Sequence, residues 1–221
     1  PIPYNRACFE RSERPPLARI LGTLALSLAL GSCSPPPSLL EQIVRSGSLK
    51  VVTRNSPTTY YDGIDRPRGI DYDLAKGLAD RLGVALDLEV ADQFWQIFPA
   101  VQSGRVHIAA AGLTITEPRR AMVDFSPPYQ RVTQQVIYRR GTRRPYEVEG
   151  LYGGRLEVLA GSAYVGALND AKRAHPMLAW VENAEVGIEE LVRRVASGEI
   201  DYTVVDSNVF EMLRHSHPDA R

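Results

Sequence analysis

An excess of charge of either sign is what this sequence does without: 26 Lys and Arg are balanced by 26 Asp and Glu. Zero formal net charge offers no general surface for a polyanion, so no nucleic-acid partner is expected and any charge-based recognition must be local. Nucleotide signatures are missing too, since neither GxGxxG nor a Walker phosphate loop occurs. Cysteine is scarce, Cys8 and Cys33 being the two. No Cys, Asp or second His stands at ligand spacing from His107, so the expectation is no metal and no cofactor, with His107 a partly buried scaffold residue. The apolar run Ile20 to Leu30 falls short of the ~20 residues that span a bilayer as a helix. What is present is 44% hydrophobic and 24% charged residues in 221, enough for a substantial core and one or two domains.

The chain opens on Pro1 rather than Met, and is expected to be cut or processed at that end. Arg11, Arg14 and Arg19 precede the run Ile20 to Leu30, which closes on Leu30-Gly31-Ser32-Cys33. Basic flank, short apolar core and small residues make a secretory signal. A buried amphipathic helix fits poorly, because the run has no polar face. Leu-Gly-Ser-Cys resembles the bacterial lipobox, which implies that Cys33 carries lipid, that Cys8 leaves with the signal, and that no disulfide remains. Ser34 to Ser38, SPPPS, reads as an extended tether. The expected divisions are a signal and lipobox over 1–33, a tether over 34–40, a first lobe over 41–140 and an incomplete second lobe over 141–221. The mature protein is expected to be anchored to a membrane rather than to span it.

Periodicity predicts a helix from Ser38 stopped by Gly47, a strand at Leu49 to Thr53 and a helix from Gly69 to Leu82 stopped by Gly83. Val84 to Val90 alternates as a strand, Phe94 to Ser103 reads as a helix and Val106 to Ala111 as a buried strand. Val132 to Tyr138 is a further strand, followed by the basic, turn-rich RRGTRRP, a candidate hinge around Gly141 to Tyr146. The alternation then restarts: strands at Arg155 to Leu159, Leu178 to Val181 and Tyr202 to Val205, helices at Ala163 to Ala174, Ile188 to Ala196 and Val209 to Leu213. Short alternation of this kind predicts two successive α/β lobes, each a parallel sheet with helices on both faces.

The stretch Ala109 to Tyr129, AAAGLTITEPRRAMVDFSPPY, carries the clearest chemistry. A strand that ends in a loop and a helix start aims free N–H groups and partial positive charge outward. Thr114, Thr116 and the Arg119 fork would complete a carboxylate clamp, because guanidinium matches a carboxylate bidentately. The plainer reading is that Thr114 caps a helix and the two arginines form a solvated face.

The segments RGIDYDLAKGLADRLG, FWQIFPAVQSGRVHIAAAGLTITEPRRAMVDFSPPY and GEIDYTVVD resemble family 3 of the bacterial solute-binding proteins, the periplasmic amino-acid-binding type, and the resemblance covers nearly everything from Leu40 onward. It implies a two-lobed α/β periplasmic-binding-protein-like (type II) fold that closes on a ligand in its cleft. It also implies roles: Arg119 grips the ligand α-carboxylate, helped by Gly112 and Thr114; the helix start at Gly161-Ser162 faces it from the second lobe; Asp206 takes the amino group; an aromatic near Tyr60 packs on the ligand. Two departures stand out. Ala163 replaces a second hydroxyl after Ser162, and His107 stands where the family often has Asp.

A narrower likeness rests on NSPTTYY, VTQQVIYRRGTRRP and GEIDYTVVDSNVFEMLRHSHPD, which are similar to the amino-terminal regulatory domain of the membrane-bound lytic murein transglycosylase F subfamily. That subfamily pairs a solute-binding-type domain with a lysozyme-like domain that cleaves peptidoglycan through a Glu general acid and base. Its Glu-Ser pair does not occur in this chain, so no catalytic residue is expected here. The second lobe is expected to be truncated at Arg221. The leading expectation is an exported, lipid-anchored, ligand-sensing domain, on the periplasmic side of the envelope at the outer membrane. Its ligands would be amino acids or wall-derived peptides, with peptidoglycan a partner of the parent protein. The alternative is a free-standing amino-acid-binding lipoprotein of an ABC transporter. A third is a solute-binding fold turned dehydratase, for which no cleft acid or base is evident.

Overall fold

The computed structural model describes residues 36–221. The signal, the lipobox and Cys33 lie outside the described residues. From Leu39 to Arg221 the chain forms one compact unit with two α/β lobes. The first lobe is built on α1 (Leu39–Ser46), β1 (Ser48–Arg54), the small hairpin of β2 (Tyr61–Asp62) and β3 (Pro67–Arg68), α2 (Ile70–Leu82), β4 (Ala85–Ala91), a 3-10 turn (Phe94–Gln96) running into α3 (Ile97–Gln102), and β5 (Ile108–Ala109). Its sheet has the order β4-β1-β5, all parallel, with Val51 opposite Leu88 and Ile108. Because strand side chains alternate between faces, Val51 joins the apolar cluster under α1 and α2, with Ile43, Ala75 and Ala79. Val52 joins the cluster on the other face, with Ile97 and Ala100 of α3.

The helix ends follow from glycine. Gly83 takes φ 67°, the left-handed conformation that closes α2, and its N–H returns to the Ala79 and Asp80 carbonyls. After β5 the chain makes a four-residue helix, α4 (Glu117–Arg120), and then crosses to the second lobe. That lobe contains β6 (Gln134–Tyr138), a 3-10 turn (Val148–Leu151), β7 (Glu157–Leu159), α5 (Ala163–Ala174), β8 (Val181–Asn183), α6 (Ile188–Ser197), β9 (Tyr202–Asp206) and α7 (Ser207–Leu213). In α6, Ile188, Leu191, Val192 and Val195 fall at helical spacing on one buried stripe, and Gly198 at φ 81° stops the helix.

The structure departs from the sequence reading in several places: β8 forms at Val181–Asn183 rather than Leu178 to Val181, and β5 is two half-buried residues rather than Val106 to Ala111. β6 pairs antiparallel with β9, Val136 opposite Val204, so the second sheet is mixed rather than wholly parallel. A bridge from Leu156 to Tyr202 joins the β6-β9 pair to the parallel pair β7-β8. The strand expected to close the first lobe thus belongs to the second sheet, and Ile137 is buried in the second lobe's core. The chain passes between lobes ahead of Gln134, while Gly141 to Tyr146, expected as the hinge, follows a strand already in the second lobe. The expected helix from Phe94 to Ser103 is broken at its start, where Gln93 and Gln96 exchange capping bonds around a 3-10 turn.

Candidate functional site

The lobes meet where the carboxyl ends of β1 and β5 face the start of α5 and the end of β9. Phe94 packs against the cores of both lobes. Two guanidinium groups lie against its ring, Arg54 at 5.2 Å and Arg119 at 5.6 Å from the centroid, and Arg119 also lies 5.0 Å from the Phe98 ring.

Arg119, on α4, is only 7% exposed. Its Nη1 donates to the Thr114 carbonyl at 2.9 Å, and its Nη2 reaches across to the Gly161 carbonyl at 3.1 Å. Burial lowers its pKa from the ordinary value and the neighbouring Arg54 lowers it further, while Asp206 and Tyr164 oppose the shift. Of the five guanidinium N–H groups, three stay open to another acceptor. Gly112 lets the chain pass close to Thr59. At φ 61° it sits in the left-handed region, and a β-carbon there would come within 3.0 Å of the Thr59 methyl, 3.8 Å of Asp71 Oδ2 and 3.9 Å of Arg54 Nη2.

From the second lobe, Asp206 stands at the N-cap position of α7, without a side-chain capping bond, at the end of β9 and is 8% exposed. Its backbone N–H donates to the Tyr164 hydroxyl at 3.1 Å, and its Oδ1 is buried without a hydrogen-bond partner. Burial raises its pKa, against the pull of the Tyr164 hydrogen bond and of the Arg54 and Arg119 charges. Ser162, the residue before α5, also holds a buried hydroxyl without a partner. A cavity of about 770 Å³ runs along this region, lined by Leu74, Phe98, Gly112, Thr114, Asp206 and Arg54 among others. A second, of about 490 Å³, begins at Arg54 and Phe94 and extends past Gln93 toward Ile188 and Arg193.

Gly112, Thr114 and Asp206 line the larger cavity, while Arg119 and Ser162 line neither and are brought near each other by the Arg119 Nη2 bond to Gly161, the residue before Ser162. The Tyr60 ring packs edge-on against Tyr72 at 5.9 Å, its hydroxyl donates to Asp62 at 2.8 Å, and like Arg119 and Ser162 it lines neither cavity. The aromatics that reach the guanidinium groups are Phe94, against Arg54 and Arg119, and Phe98, against Arg119. His107 Nδ1 accepts the Lys50 N–H at 3.0 Å and its own N–H donates to the Lys50 carbonyl, so it braces β5 against β1. Arg120 stays at the surface, 4.0 Å from Glu117. Sequence reasoning missed Arg54. The signal was there: a charge at the end of β1, straight after the buried Val51-Val52-Thr53 and immediately before the Asn55-Ser56-Pro57 turn.

Two α/β lobes facing across a cleft between strand ends define a solute-binding protein of the periplasmic type. Residues 49–200 match the bacterial extracellular solute-binding proteins, family 3, and the chain belongs to that family. It is 42% identical over 206 residues to a membrane-bound lytic murein transglycosylase F of Pseudomonas putida strain W619, covering 92% of this chain and 42% of that protein. The chain therefore spans less than half the length of the curated relatives it is compared with here. Among solved structures it resembles an ancestral arginine-binding protein bound to arginine, with TM-score 0.70 and 28% identity over 79% of this chain and 77% of that one. It also resembles the amino acid transporter substrate-binding protein AbpA of Streptococcus pneumoniae bound to L-arginine, with TM-score 0.71 and 26% identity over 82% and 76% of the two chains.

Proposed function

We propose that this chain is an exported, lipid-anchored sensing domain that takes an amino acid or a short wall-derived peptide in its cleft and regulates a peptidoglycan-cleaving domain of a transglycosylase F-like parent. One observation carries the binding reading: a buried Arg119 with open donors faces a buried Asp206 with an open acceptor, the complement of a carboxylate and an ammonium on one ligand. The likeness to lytic transglycosylase F relatives supports the envelope location and the regulatory role. Cys33 is the proposed lipid attachment, with the outer membrane the proposed destination, and the lobes divide in the segment ahead of β6. Calorimetry with the twenty amino acids and with soluble peptidoglycan peptides tests the cleft, and a null result with all of them sinks the reading. The gene read past Arg221 tests the regulatory role: a lysozyme-like domain with a Glu-Ser pair supports it, and an immediate stop favours the second reading. That second reading is a free-standing amino-acid-binding lipoprotein serving a transporter, supported by the likeness to AbpA.

The role of Asp206 has its own test. Asp206→Asn is expected to weaken an amino acid at least tenfold while changing an N-acetylated analogue by less than threefold. Equal losses for the two ligands would remove Asp206 from the amino-binding role. The raised pKa adds a pH dependence with a definite sign. Ligand ammonium pairs with the carboxylate form, so affinity is retained above the Asp206 pKa and declines as the pH falls through it, beginning above the ordinary Asp value of 3.8. In the Asn variant that acid-side decline should disappear.

A further inference from the structure

The cleft holds one cation more than a single amino acid uses. Arg54 ends β1 with its Nε buried, and no hydrogen bond or ion pair to its guanidinium occurs among the described residues. Its companions are the Phe94 ring and, as more distant charges, Asp206 and Asp71. Asp71 is only a partial counter-ion. It is 5% exposed, its Oδ1 accepts the Tyr129 hydroxyl at 2.6 Å, and its Oδ2 is across the position that a Gly112 side chain would fill. If a zwitterionic ligand places its carboxylate on Arg119 and its ammonium on Asp206, Arg54 is left partly buried, its Nε fully so, without an anion in contact, an unfavourable arrangement.

The polar groups left over around Arg54 lean the same way. All five Arg54 N–H donors and three on Arg119 are open, and the Ser162 hydroxyl can donate as well. On the acceptor side of the same cleft, the buried carboxylate oxygen without a partner is Asp206 Oδ1. A ligand that satisfies such a wall is rich in acceptors, and carboxylate oxygens meet a guanidinium fork most completely. Arg54 also lines both cavities, the larger of which Asp206 lines too, so a group held at Arg54 has open space on either side.

We propose that Arg54 is a second ligand-binding guanidinium and that the cleft selects an amino acid or short peptide bearing a second carboxylate, as in a dicarboxylic amino acid. The inference rests on the Arg119–Asp206 reading of the cleft and goes beyond it by assigning the side-chain class. The site then pairs charge for charge: α-carboxylate with Arg119, ammonium with Asp206, distal carboxylate with Arg54. Burial that lowers the Arg54 pKa, countered by the nearby acidic groups, accords with a cation placed to meet an incoming anion.

The test compares L-glutamate, L-glutamine and L-arginine by calorimetry on the full chain and on Arg54→Met and Arg54→Lys. Glutamate is expected to bind at least tenfold more tightly than glutamine, with L-arginine weakest. Arg54→Met should reduce the glutamate-to-glutamine ratio to below threefold, chiefly by weakening glutamate, and Arg54→Lys should restore part of it. Glutamine binding as tightly as glutamate overturns the proposal, as does an equal loss of both ligands in Arg54→Met, which would make Arg54 a general carboxylate or scaffold residue. Thermal melting accompanies each variant, and if Arg54→Met does not fold, the Arg54→Lys ratio alone decides: an unchanged affinity for glutamine with weakened glutamate supports the proposal, and parallel weakening overturns it. If no amino acid or peptide binds the unaltered chain, the cleft reading itself fails and takes this inference with it.

Discussion

Arg119→Ala is expected to abolish measurable binding of an amino acid or peptide, a loss of at least a hundredfold in affinity. Truncating a buried guanidinium leaves its partner carboxylate desolvated and unpaired, and removing one member of such a pair costs about 3 to 5 kcal/mol in general. The loss has a second component in this protein. The Nη2 bond to Gly161 is a hydrogen bond from the first lobe to the second, so the alanine variant loses a tie between the lobes along with the ligand contact. Calorimetry against a ligand confirmed for the unaltered protein is the measurement. Arg120→Ala is the control, because Arg120 is exposed and its nearest acid is 4.0 Å away. Affinity within threefold of normal in Arg119→Ala would remove the clamp from the account of this cleft.

Leu191→Ala is expected to cost about 2 to 5 kcal/mol of stability, the range for removing a fully buried leucine side chain and leaving a cavity. Leu191 has no exposed surface and sits at the centre of the α6 stripe, among Ile188, Val192 and Val195, against the strands of the second lobe. Its loss therefore loosens the support of β9, whose last residue is Asp206. Urea denaturation followed by circular dichroism should show a lower midpoint with little change in slope. A shift under about 1 kcal/mol would mean that the second lobe repacks around the gap or does not depend on this core. Since domain stabilities are commonly only about 5 to 15 kcal/mol in total, the variant should also bind ligand over a narrower range of temperature.

Much of the fold was legible because it is written in short-range signals. Gly83 and Gly198 stop helices by taking conformations that other residues resist, and the apolar spacing of Ile188 to Val195 declares a buried stripe wherever the helix docks. The closeness of Gly112, Thr114 and Arg119 was legible for a similar reason: they sit within eight residues of one another, so local chain geometry keeps them near. Pairing direction is another matter. The alternation of VTQQVIY states that a strand will form, but the antiparallel match of Gln134 to Asp206 is made with a partner seventy residues away in the chain, beyond anything periodicity encodes. Arg54 was opaque for the same reason, because its setting depends on Phe94, Asp71 and Asp206 arriving from three other segments. Tyr60 depends on such contacts as well. The resemblance pointed to it, and the hairpin after it turned its ring to Tyr72 and its hydroxyl to Asp62.

Gly112 limits how this protein can diversify. A methyl group at that position would meet Thr59 at 3.0 Å, intrude between Asp71 and Arg54, and force a side chain into a left-handed backbone. The cleft floor is therefore closed to gradual change by point substitution: one step from glycine strains the backbone and crowds Thr59 at once. Variation in ligand range has an easier route through the walls. Leu74 and Leu78 are half-exposed along α2 and Val209 faces the same cavity from α7, so exchanging one apolar side chain for another there alters volume without touching the charges. Descendants of this chain can thus widen or narrow what they recognise while keeping the same polar anchor, and a laboratory library aimed at new ligands should randomise Leu74, Leu78 and Val209 and leave Gly112 alone.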